Sequence, residues 1–238
     1  MRWLGGAWTR SRPWRRGLWA VAPRPSTTPF TFWYLVILVV TTVVLEIGAD
    51  ELVDRLLRWS STDAHNLRHH PVLALVTSAL WLPDLPSAAE YLLVIAVLIG
   101  ALERGIGTGR VIAVFASGHI AATLATELPV VWAIRAHVLP ADDGRWLDIG
   151  VSYGVFACIG VALLLLPARA RWVLAVVVGS YLLVQCLETD PASLDAVITT
   201  AGHLLSALIG VVGWWPWLRR RGLIGSARPP GTSLSTVD

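Results

Sequence analysis

The run DIGVSYGVFACIG (148–160) sets Ser152 between Gly150 and Gly154. The pattern is G-x-S-x-G, which elsewhere presents an activated serine. A serine hydroxyl attacks a carbonyl only when a neighbouring base takes its proton. One histidine fits that role: His203, in TTAGHLLSALIG (199–210). Ser152 precedes Arg169 by 17 residues, and His203 precedes Arg219 by 16. At a helical rise of about 1.5 Å per residue, both stand roughly 24–26 Å above those arginines. His119 lies nine residues from Arg110, at a height of only about 14 Å. The competing reading of Ser152 is packing, with its hydroxyl bonded back to its own helix. A strand-borne nucleophile elbow is excluded, because that motif needs a soluble sheet around it.

These depths presuppose helices that cross a membrane, and the composition supplies them. The chain of 238 residues is 55% hydrophobic and only 15% charged, with a mean hydropathy of +0.63. A soluble domain keeps about a quarter of its residues charged. The fold class is therefore an all-α polytopic membrane protein. Crossing the hydrocarbon core takes roughly 20 apolar residues. Six stretches qualify, at about 29–48, 87–104, 109–128, 147–166, 170–188 and 194–216. A seventh, PVLALVTSALWLP (71–83), is too short and reads as interfacial or re-entrant.

Arginine marks alternate connections. It fills the N-terminal tail and recurs at Arg104 and Arg110, at Arg169 and Arg171, and at Arg219, Arg220 and Arg221. The other connections carry acids: Asp50, Glu51, Asp54, Asp63 and Asp84; Glu127, Asp142, Asp143 and Asp148; Glu188, Asp190 and Asp195. The positive-inside rule then gives six spans with both termini cytoplasmic. The expected organisation is an Arg/Trp-rich cytoplasmic tail (1–28), a six-span domain (29–218) and a basic, then disordered tail (219–238). All 19 basic residues are arginine and Asn66 is the only asparagine, which points to a GC-rich bacterial genome. The expected location is the bacterial cytoplasmic membrane, as a multi-pass protein.

Small residues flank both chemical groups. Gly150 and Gly154 form one small-xxx-small face; Gly202, Ser206 and Gly210 form another. Such faces let helix backbones approach closely, and only touching helices bring a serine and an imidazole within hydrogen-bond reach. Asp148 reads as an N-terminal cap of the fourth span. His119 reads as a bond to another helix. His65, His69 and His70 form a loop cluster without metal-ligand spacing beyond the pair. Cys158 and Cys186 read as buried free thiols. No cofactor, metal or nucleic acid is implied.

The chain resembles the rhomboid family, six-span intramembrane serine proteases. Gly150-Val151-Ser152 matches its G-x-S nucleophile, and Gly202-His203 followed by Ser206 and Gly210 matches its base on span six. Phe156 holds the aromatic position that stacks on the histidine, and GALERGIGTGR (100–110) resembles the family's G-x-x-x-E-x-x-x-G turn, with Glu103 as the acid. The resemblance covers about residues 30–215. It departs where the family keeps a His and an Asn on span two; the matching positions here are Ser87 and Tyr91. Tyr153 replaces the small residue that follows the serine, and the Trp-Arg pair of the first loop is missing, with Leu73-Ala74 near its place. What the resemblance implies is a rhomboid-like six-helix bundle that cleaves transmembrane segments with a Ser152–His203 dyad. The oxyanion would be held by the Ser152 N–H with the Tyr91 or Ser87 hydroxyl. The alternative is an inactive rhomboid-like protein that binds or scaffolds transmembrane partners within the lipid bilayer.

Overall fold

The structure, a computed structural model, describes residues 22–82 and 85–224. The N-terminal Arg/Trp tail before residue 22, the C-terminal stretch after 224 and the side chain of Ser87 lie outside the described residues. Eleven helices and no strand occur among those described. They are α1 (Pro29–Ile47), α2 (Asp50–Ser60), α3 (Ala64–His69), α4 (Pro71–Thr77), α5 (Leu85–Val94), α6 (Gly100–Ile106), α7 (Thr108–Arg135), α8 (Ser152–Leu165), α9 (Ala168–Glu188), α10 (Leu194–Leu208) and α11 (Trp214–Arg220). A π turn over Ile95–Ile99 joins α5 to α6, and another over Ile209–Gly213 joins α10 to α11.

Among the described residues, four helical stretches are long and apolar enough to cross a membrane: α1, α7, α9 and the continuous run Leu194–Arg220. Pro29 begins α1 with its fixed φ and no N–H to satisfy. The start of α1 is held by a buried acid. Glu103 on α6 accepts from the backbone N–H groups of Phe30 and Thr31, at 3.0 and 2.9 Å, and from the Thr31 hydroxyl at 2.6 Å. It also accepts from Thr108 at the start of α7, at 2.8 Å. One carboxylate thus satisfies two orphan N–H donors at the N-terminus of α1 and ties the first residue of α7 to it. Gly107, at φ +90, makes the turn between α6 and α7 that permits this.

The third predicted span is longer than the sequence suggested. Helix α7 runs through Pro129 to Arg135. Glu127 is accordingly not a loop acid but a fully buried residue inside that helix. Its carboxylate accepts from the Trp146 indole at 3.2 Å. Membrane helices tolerate such a proline where neighbours satisfy the freed backbone groups.

The fourth predicted span is shorter. Helix α8 starts only at Ser152, and the chain before it is an irregular loop. Fourteen residues would not cross a bilayer, but every residue from Tyr153 to Ala162 is buried in protein. The 17-residue count from Ser152 to Arg169 therefore crosses a break at Leu166-Pro167, and Arg169 already belongs to α9. Helices α7, α8 and α10 pack most closely around this centre. By contrast α9 has no buried residue at all. Cys158 is a buried free thiol, whereas Cys186, on the outer side of α9, is exposed, contrary to expectation.

Small residues set the helix spacing. A Cβ at Gly154 would run into the Phe115 ring, and one at Gly202 into the Tyr153 ring. One at Gly210 would meet the backbone of Ala157, and one at Gly160 that of Ala207 and Gly210. The Ser206 hydroxyl donates to the Tyr153 carbonyl, which locks α10 against α8. Gly150 is not part of a helical seam with Gly154. It lies in the entry loop at φ +138, two residues before the helix.

Candidate active site

The loop leading to Ser152 is held by the segment between α2 and α3. The Thr62 N–H donates to the Asp148 carbonyl at 2.8 Å, and its hydroxyl donates to the Asp148 carboxylate at 2.7 Å. Ser61 donates to the Trp146 carbonyl at 3.1 Å and accepts from the Asp148 N–H at 2.9 Å. Asn66 braces the segment from behind, donating to the carbonyls of Arg58 and Ser61 at 2.7 and 2.9 Å. One step further on, the Gly150 N–H donates to the Ser78 carbonyl at 2.9 Å. That donor is therefore committed to positioning the loop, not to an oxyanion. Asp148 is not a helix cap either: the cap position is Val151, which gives α8 no side-chain cap. The first N–H groups of α8 are thus left without intrahelical partners or a cap.

Burial holds the Asp148 carboxyl above its ordinary range. Asp148, in the entry loop, therefore binds a proton more tightly folded than unfolded. Its contribution to stability is fully present below the unfolded pKa, about 4, and is lost as pH rises through the folded value. The thermal midpoint of detergent-solubilised protein should fall over that range. Asp148→Asn, which keeps an acceptor for Thr62, should flatten the slope; an unchanged slope would show that the acid does not titrate with folding.

Ser152 is the first residue of α8 and is half-buried. His203 on α10 is buried, 3% exposed. The Phe156 ring packs on its imidazole at 4.6 Å between centroids, and Tyr153 meets it edge-on at 5.6 Å. The Tyr153 ring occupies the space that the missing side chain of Gly202 leaves. His203 Nδ1 lies 2.8 Å from the amide oxygen of Gln185 on α9. His203 Nε2 is buried and has no hydrogen-bond partner, so no hydrogen bond joins it to Ser152 in this structure.

Ser152 and His203 line one cleft of about 330 Å³. Tyr91, Asp148, Gly150, Tyr153 and Gln185 also contribute to its wall. Ser87 lies one turn before Tyr91 on α5. His119 reaches the cleft from α7, where its Nε2 lies 2.9 Å from the Leu75 carbonyl and 3.2 Å from the Ser78 hydroxyl. It thereby ties α7 to the α4 segment. The His65 and His69 rings lie 4.3 Å apart between centroids and tilted, while His70 turns away onto Trp59. Among the described residues no group of three His, Cys, Asp or Glu side chains converges on a metal-sized site.

The chain matches the family model of the rhomboid-like proteins over residues 25–223. It belongs to that family. The match takes in all four candidate spans, the Glu103 turn, Ser152 and His203. This rhomboid-like protein is accordingly a multi-pass membrane protein whose apolar outer helices sit in a lipid bilayer. Among curated proteins and among solved structures nothing matches significantly.

Sequence reading missed the residues that position this rhomboid-like site from outside the motifs: Thr62, Ser78, Gly160 and Gln185. The one usable signal was Gln185, the only glutamine, standing in an otherwise apolar span.

Proposed function

We propose that this rhomboid-like protein is an intramembrane serine protease acting on transmembrane segments of other membrane proteins. In this reading the Ser152 hydroxyl adds to the scissile carbonyl carbon while His203 Nε2 takes its proton. The peptide C–N bond then breaks, and the imidazolium returns the proton to the leaving amine. Water, deprotonated by the same nitrogen, hydrolyses the Ser152 ester. The oxyanion is held by the uncapped N–H groups that open α8, aided by the positive end of that helix. The Tyr91 or Ser87 hydroxyl is the second donor, replacing the family's span-two His and Asn. Phe156 holds the imidazole plane. The membrane domain covers residues 29–218 in six spans, with both tails cytoplasmic.

The observation that carries the reading is the state of His203. Its Nδ1 is occupied, its Nε2 is unpartnered, and it shares a polar cleft with Ser152. A buried nitrogen without a partner is costly unless it has a task. Catalytic hydrogen bonds are often long or absent before substrate arrives.

One observation favours an inactive scaffold instead: of the described side chains on α5, only Tyr91 lines the cleft. A fluorophosphonate probe separates the two. Labelling of the wild type and not of Ser152→Ala supports the protease. No labelling of either, with partner binding retained, supports the scaffold. Topology has its own check. Reporter fusions at Arg24 and Arg228 should both read cytoplasmic; opposite sides would overturn the six-span arrangement.

A further inference from the structure

We infer that Gln185 is a positioning residue that makes the Ser152–His203 pair into a neutral triad, an inference that rests on the protease reading above. Helix α9 has no buried residue, yet it reaches the site through one face. Tyr181, Gln185 and Thr189 follow at intervals of four, so they lie one above another on that face. The Tyr181 ring packs on Phe156 at 5.9 Å. The Gln185 amide oxygen lies 2.8 Å from His203 Nδ1. The Thr189 and Thr200 hydroxyls meet at 2.6 Å, a turn before His203 on α10. The face thus grips the imidazole, its stacking partner and its helix together.

The chemistry of the Gln185 contact is directional. A carboxamide oxygen only accepts, so Nδ1 must donate. In the neutral imidazole the proton is then on Nδ1, and Nε2 is left as a lone pair. That is the tautomer a general base needs toward the serine. Nε2 is also the nitrogen that lacks any partner. When the imidazole takes the serine's proton, the same Nδ1–H···O bond becomes charge-assisted and strengthens. A polar amide on a lipid-crossing helix is costly unless paired, and this pairing accounts for it.

The test is the pH profile of fluorophosphonate labelling on the full-length, detergent-solubilised protein. Labelling needs neutral His203, so its acid limb reports the imidazole. The other titratable groups around the cleft are Tyr91, His119, Asp148, Tyr153 and Tyr181, with Glu127 behind Asp148, and they are constant across the variants. Gln185→Glu places a carboxylate beside Nδ1 and should move the acid limb to higher pH by about one unit or more. Gln185→Met keeps the size and removes the acceptor. It should move the limb to lower pH and slow labelling at the optimum about tenfold. Should the new carboxylate prevent folding, the Gln185→Met arm alone decides, since a merely structural loss would leave the limb in place. Wild-type labelling with no shift in either folded variant overturns the role of Gln185 and leaves the dyad standing. No labelling of the wild type overturns both.

Discussion

Ser152→Ala and His203→Ala should each abolish cleavage of a tagged single-span substrate, and the double variant should lose no more than either single one. Serine and base act in one step, so removing either removes the whole activated nucleophile. Losses of about 10⁴- to 10⁶-fold are typical when such a unit is broken, and they do not add. The folded protein should survive both changes. An alanine in place of the serine fits the first turn of α8, where the Ser152 hydroxyl is neither a cap nor a bond to His203. His203→Ala leaves a cavity beside Phe156 and Tyr153, so its thermal midpoint should be read alongside activity. Equal cleavage by wild type and Ser152→Ala would end the protease reading. The serine in DIGVSYG would then be a packing residue, and the scaffold would take its place.

Gly210→Val should cost both stability and activity, whereas Gly179→Val should be nearly silent. The new side chain at 210 would grow into the Ala157 backbone. That backbone cannot retreat: Ala157 and Cys158 are fully buried, and Gly118 of α7 already presses against the Ala157 side chain. Helix α10 must therefore move away from α8. Overpacking of this kind costs about 1–3 kcal/mol or more. His203 lies about two turns from Gly210 and would be carried with the helix. A displacement of about 1 Å can cost about 100-fold in rate. At Gly179, on the outer side of α9, an added Cβ meets nothing within 4 Å. Melting curves and probe labelling of the two variants check this; equal behaviour would show that the α8–α10 contact does not set the site.

Ser152 and His203 stand out as a candidate pair because their signals are local. Ser152 stands between Gly150 and Gly154, and His203 follows Gly202 and precedes Ser206 by a turn, and these patterns survive without knowledge of neighbours. Phe156 was legible for the same reason, being one turn from the serine on one helix. The Glu103 turn was legible as a motif, although its partners at Phe30, Thr31 and Thr108 were not. Gly150 misled for an instructive reason. Its spacing from Gly154 suits a helix face, but its φ of +138 places it in the loop. Spacing alone does not say where a helix starts when the preceding residues are also apolar.

Membrane class, an all-helical bundle and the approximate reach of its long apolar helices follow from the sequence, because hydrocarbon leaves a backbone few choices and hydropathy runs along the chain. The tertiary structure decided the rest. It started α8 at Ser152, since Ser61, Thr62 and Ser78 hold the entry loop by bonds between residues more than 70 positions apart. It buried Glu127 inside α7 and set it against Asp148 from another element. It brought Gln185 to His203 Nδ1 across two helices. Each of these joins segments whose relative position is fixed only by packing, and no periodicity in one segment encodes the partner it meets in another.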